Sequence, residues 1–125
     1  MKNFSFDLNC KVSIYVPSTV DVNTTTDNTE VTNEVIKRMS LLFGGATVEI
    51  KQGAWICENG DLVTESINVV YSFCTSEQYD KYFSDMVQLA KDICIAMNQE
   101  AVTFETVDEN GKIGVKFVNQ DTKIK

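Results

Sequence analysis

A chain of 125 residues, 43% of them hydrophobic and 23% charged, reads as one globular domain, 1–125, with apolar content for a core spanning residues 10–118. A formal net charge of −7 argues against direct contact with nucleic acid or an anionic membrane, both of which demand a basic face. There is no apolar run of spanning length, no signal core near the start and no lipidation motif, so the expected location is the cytoplasm.

Residues 1–9 read as a lead-in, with Phe4 and Phe6 tucked against the core. Residues 10–17 form the first strand: Val12, Ile14 and Val16 share one face, Lys11, Ser13 and Tyr15 the other, and Pro17 closes it. A Thr/Asn/Asp-rich irregular segment, 18–29, leads into a helix. Asp27 and Glu30 resemble a capping box there, and Val31, Val35, Ile36, Met39, Leu42 and Phe43 recur at helical spacing up to Gly44-Gly45.

A hairpin follows, with strands over 46–51 and 66–74 and Asn59-Gly60 as its turn signal. Ile67, Val69, Tyr71 and Phe73 alternate and are expected to face the core. Thr75 and Gln78 start a second, longer helix over 76–98, whose stripe includes Tyr79, Phe83, Met86, Leu89, Ala90, Ile93 and Met97. Strands over 100–107 and 112–118 flank a second Asn-Gly turn at Asn110-Gly111, and residues 119–125 read as a frayed tail.

Strand, helix, strand, strand, helix, strand, plus one extra C-terminal strand, predicts an α+β ferredoxin-like split βαβ sandwich: an antiparallel sheet with both helices on one face. The expected helix-facing set is Val12, Ile14, Val48, Ile50, Ile67, Val69, Tyr71, Phe73, Val102 and Phe104. The open face would then carry Lys11, Ser13, Tyr15, Glu49, Asn68, Val70, Ser72, Cys74, Thr103 and Glu105.

From residue 42 to 117 the chain resembles a bacterial domain family of unknown function. The resemblance lies in Phe43-Gly44-Gly45, Gly53-Ala54-Trp55, the Gly60-x-x-Val63-x-Glu65 turn and Gln99-Glu100-x-Val102. It implies a ferredoxin-like fold and carries no activity. Chains of similar look occur among phage and mobile-element genes, which implies an accessory protein.

Cys10, Cys57, Cys74 and Cys94 are widely separated, and histidine is absent, so no zinc pattern forms and buried reduced thiols are expected. The segment 21–27 begins like a calcium loop, but it lacks the sixth-position glycine and has Thr32 where a glutamate belongs; Asp21, Asn23 and Asp27 read as turn and cap residues. No metal, cofactor or catalytic constellation is expected. Glu58, Asp61 and Glu65 gather about the first hairpin turn and read as solvated carboxylates. Trp55 reads as packing under the loop; if exposed, it is the first binding hot spot, worth about 2 kcal/mol or more on truncation.

Acidity, small size and the missing catalytic constellation favour a non-enzymatic binding protein, and the resemblance implies one of phage or mobile-element type. Its expected partner is a basic, nucleic-acid-binding protein, a bacterial defence nuclease of the CRISPR kind, inhibited by occlusion. The alternative is a ferredoxin-like small-molecule-binding or enzyme domain, its pocket on the open sheet face or at a dimer seam and lined by Ser13, Tyr15, Asn68 and Ser72. A structural homodimer through that face is the third reading. The candidate interface is therefore Tyr15, Ser13, Asn68, Ser72, Trp55, Glu58, Asp61 and Glu65.

Overall fold

The computed structural model describes residues 7–20, 24–25 and 27–124. The elements in chain order are β1 (Cys10–Val16), β2 (Thr19–Val20), β3 (Thr24–Thr25), α1 (Thr29–Phe43), β4 (Thr47–Ile56), β5 (Leu62–Cys74), α2 (Ser76–Ala96), β6 (Val102–Val107) and β7 (Ile113–Val118). Five strands make one antiparallel sheet in the order β4-β5-β1-β6-β7, and β2 and β3 form a small separate ladder. This is the ferredoxin-like sandwich with β7 added beside β6. No helix among the described residues is long and apolar enough to cross a membrane.

The core lies between the sheet and the two helices. Val12, Ile14, Val16, Val70, Val102 and Phe104 meet Val35, Met39, Met86, Leu89, Ala90 and Ile93 there, all buried. Removing this much aliphatic and aromatic surface from water is what holds the helices on the sheet. The T-shaped Phe43–Tyr82 pair and the Phe83–Phe104 pair, with ring centroids 5.7 and 5.4 Å apart, add directional contacts between the layers. Arg38 of α1 reaches Asp92 of α2 at 2.9 Å, a half-buried pair still open to solvent that adds little to stability.

Helix ends follow their local chemistry. Thr75 and Gln78 form the expected capping box at the start of α2. The start of α1 differs. Asn28 is its N-cap and has no side-chain cap bond, while the Asp27 carboxylate accepts from the Thr29 amide and hydroxyl in place of a box with Glu30. These bonds hold the Asp27 carboxyl below its ordinary range.

Three expectations are corrected. The β4–β5 hairpin is longer than its sequence pattern suggests: β4 runs on to Ile56, and β5 starts at Leu62. The segment 18–29 contains the β2–β3 ladder instead of being wholly irregular. The tail is folded back, with Asn119 and Thr122 bonded to each other and the Lys91 ammonium donating to the Thr122 carbonyl at 2.7 Å. Phe4, Phe6, Asp21 and Asn23 lie outside the described residues.

The fourth correction concerns which way β5 faces. Antiparallel register pairs Cys10 with Cys74, Val12 with Ser72 and Ile14 with Val70, and paired residues share a face. Asn68, Val70, Ser72 and Cys74 therefore lie under the helices, and Ile67, Val69, Tyr71 and Phe73 lie on the open face. The polar members of the inner set are satisfied there. Asn68 donates to the Asn28 and Thr32 side chains, and Ser72 donates to the Gly45 carbonyl at 2.6 Å. Those bonds make burial of an amide and a hydroxyl affordable beneath α1.

Candidate active site on the open sheet face

Beyond the part of β5 that pairs with β1, residues 62–67 pair with β4 alone, so the β4–β5 hairpin continues as a two-stranded arm. Its turn is a bulged one. The Gly60 amide donates to the Cys57 carbonyl, the Cys57 amide donates to the Asp61 carbonyl, and Gly60 has φ of 91°, a left-handed position that glycine occupies without strain. Glu58 and Asp61 sit exposed at this tip.

Where the arm leaves the sheet, a cleft of about 90 Å³ opens among Tyr15 and Pro17 of the β1 end, Glu65 and Ile67 of β5, and Gln99 and Thr103 near the start of β6. The neighbours in sequence dictate this meeting. Pro17 ends β1, so the chain turns away and leaves Tyr15 as its last open-face residue. Gln99 follows α2 directly, its amide N–H bonded to the Cys94 carbonyl, which holds the helix exit at the cleft rim. Opposite Glu65, Gly53 of β4 has no side chain; a Cβ there would come within 2.8 Å of Ile67 Cδ1, so the glycine leaves Ile67 its place in the cleft wall.

The chemistry of the cleft is acidic and aromatic. Tyr15 Oη donates to Glu105 Oε1 at 2.6 Å, a short charge-assisted bond from β1 to β6. This bond first, then burial, then the negative charges of Glu105 and Glu49 push the Tyr15 phenol up to about 12. Tyr15 is therefore a neutral donor with its ring fixed. Glu65 supplies a second, half-buried carboxylate, and neither lysine nor arginine lines the cleft. Such a site favours a cation with an apolar or aromatic body.

Of the residues singled out from sequence, Tyr15 and Glu65 meet in this cleft, and Trp55 joins their side of the sheet two cross-strand pairs further along the arm, 36% exposed. Ser13 is on the same face but buried, between Tyr71 and Glu105. Asn68 and Ser72 lie on the opposite face and cannot line the same pocket. Gln99, Ile67, Thr103 and the Tyr15–Glu105 bond were not expected as a site. Gln99 did carry a signal, standing in the Gln99-Glu100-x-Val102 motif, but its reading was structural.

The three buried thiols offer no alternative chemistry. All four are free; Cys10, Cys74 and Cys94 are buried, and desolvation pushes Cys74 up to about 11, far from a reactive thiolate. Among the described residues no cluster of three or more histidine, cysteine, aspartate or glutamate side chains could hold a metal ion.

No protein-family model matches this sequence, and no curated protein does either. Solved structures do match. A phage SAM lyase in its apo state is 20% identical, with a TM-score of 0.70 over 98% of this chain and 98% of that one. A phage SAM lyase in complex with S-methyl-5'-thioadenosine is 19% identical, with a TM-score of 0.64 over 94% of this chain and 95% of that one. At these identities the likeness shows the fold, and it covers nearly every residue. It also corrects the functional expectation. Both of these structures are of phage enzymes, so the expectation of a non-enzymatic inhibitor of a defence nuclease is set aside.

Proposed function

We propose that this chain is a small-molecule lyase that takes S-adenosylmethionine at the Tyr15–Glu65–Gln99 cleft. The observation that carries the reading is the end-to-end likeness to phage SAM lyases, one of them holding S-methyl-5'-thioadenosine. The cleft supports it by charge: the substrate carries a sulfonium and an ammonium against one carboxylate, and the cleft is lined by Glu65 and by no basic residue, with Glu105 bonded to Tyr15 beside it.

The chemistry suits a chain without histidine. When the bond between sulfur and the methionyl Cγ breaks, its electron pair stays on sulfur, and the neutral thioether leaves without needing a proton. The substrate's own carboxylate oxygen forms the new bond to Cγ and closes a lactone. No protein nucleophile, base or metal enters this balance. The protein's part is orientation, which well-placed groups convert into rate. Glu65 would hold the ammonium, the Tyr15 ring would lie against the sulfonium or adenine, and the Gln99 amide would bond the nucleoside.

A cleft of about 90 Å³ is well below the roughly 300–1,000 Å³ of a small-molecule site. The exposed apolar residues of the same face, Phe73, Ile113, Val115 and Phe117, support a second copy of this chain as the missing wall. The test is calorimetric titration with S-methyl-5'-thioadenosine. The wild-type chain should bind saturably. Replacing the nucleoside with S-adenosylmethionine should make Glu65→Gln matter, weakening binding by about tenfold or more through loss of one charged contact. Absence of binding to both compounds by a folded wild-type chain would sink the reading.

A further inference from the structure

We propose a second small-molecule site, for an organic anion with an apolar body, in the groove between α2, β7 and the folded-back tail. It lies on the helix side of the sheet, so it is separate from the Tyr15 cleft and independent of the lyase reading. The groove encloses about 430 Å³, within the range of drug-sized ligand sites.

Its floor is apolar and rigid. Val87 and Val118 are buried, and Phe83 is fixed by ring contacts to Tyr79 and Phe104 at 5.6 and 5.4 Å between centroids. One wall is the tail, which is built and held. The Asn119 carboxamide oxygen accepts from the Asp121 amide and the Thr122 hydroxyl, the Thr122 hydroxyl accepts from the Asn119 amide, and Lys91 of α2 donates to the Thr122 carbonyl. The rim carries Ser84, Lys116 and Lys123.

The charge of that rim runs against the rest of the molecule. The chain has 11 basic residues against 18 acidic ones, yet two of the 11 line this groove and no carboxylate does. Lys116 pairs with Phe104 across β6 and β7, on the helix-facing side. Its aliphatic stem thus belongs beside the aromatic floor, with the ammonium free to meet an anion. An inorganic ion would leave the apolar floor wet, and a neutral apolar compound would leave the lysines unused. The fitting ligand has both parts, as an aryl or acyl carboxylate does.

The experiment uses the full chain and the fluorescent probe 8-anilinonaphthalene-1-sulfonate, with neutral N-phenyl-1-naphthylamine as control. Amide chemical shifts locate the probe. The expected result is saturable one-to-one binding that shifts Ser84, Val87 and Val118, with the neutral compound about tenfold weaker. The K116E/K123E variant, altered only at exposed side chains, should lose about tenfold in affinity while melting at the wild-type temperature. Shifts confined to Ser13, Tyr71 and Phe73 on the open face would overturn the proposal. Equal affinity in the charge-reversed variant would overturn it too.

Discussion

Tyr15 is the side chain on which the candidate site turns, because its hydroxyl joins the central strand to β6 while its ring lines the cleft. At 2.6 Å from Glu105 the phenol is held neutral, and the sign of its pH effect follows. A phenol whose pKa is raised on folding adds stability that is complete below the unfolded value near 10, and that contribution disappears as pH climbs through about 12. Thermal melts should therefore fall between pH 10 and 12 in the wild type and less steeply in Tyr15→Phe. At neutral pH the same substitution should cost about 1.5 kcal/mol, since a half-buried carboxylate loses its donor. A variant with unchanged stability and an unchanged alkaline limb would show that the bond is not formed in solution.

At the scale of the element, β5 decides how much of the site could be read in advance. Its alternation is plain in sequence, and the strand, its length apart, is where the pattern puts it. Which of its two faces is inner is a different matter, because Ile67, Val69, Tyr71 and Phe73 look more like a core than Asn68, Val70, Ser72 and Cys74 do. The register Cys10–Cys74 settles it the other way, and polar Asn68 and Ser72 go inside because α1 and the Gly45 carbonyl satisfy them. Those partners lie 27 to 40 residues away in sequence, beyond any local pattern. Asn68→Ala is therefore a stability variant and not a binding one. It should lower unfolding free energy by about 1–2 kcal/mol in denaturant titration and leave thioadenosine affinity intact; the reverse outcome would return Asn68 to the ligand site.

For the whole molecule, the helix–strand order and the two bulged Asn-Gly turns made the sandwich legible, since periodicity and turn chemistry are local properties. The cleft was not, because it is assembled from the end of β1, the middle of β5, the start of β6 and a helix exit. The enzyme reading stood in the sequence only as the alternative. Absent histidine and metal ligands weigh against acid–base catalysis, but they say nothing against a reaction whose leaving group departs neutral. The same inversion of β5 that took Asn68 and Ser72 inside puts Tyr71 and Phe73 outside, with Lys11 seated over the Tyr71 ring at 4.3 Å. On the same face, but with β1 and β6 between, Ile113, Val115 and Phe117 of the edge strand β7 are 64%, 52% and 70% exposed. The second copy proposed as the missing wall would cover these apolar residues. Analytical ultracentrifugation should find a multiple of the 14.0 kDa chain mass, reverting to one chain in Phe117→Lys with loss of thioadenosine binding. A wild-type monomer that binds the thioadenosine tightly would show that the cleft needs no second copy.

The most direct measurement is to incubate the purified full chain with S-adenosylmethionine alone and follow the mixture by proton NMR. The account predicts S-methyl-5'-thioadenosine and a four-carbon lactone appearing in equal amounts without a methyl acceptor. It also predicts that Glu65→Gln, folded as the wild type, slows this by about a hundredfold or more, the loss of an orienting contact. Folded wild-type chain that leaves S-adenosylmethionine intact would contradict it.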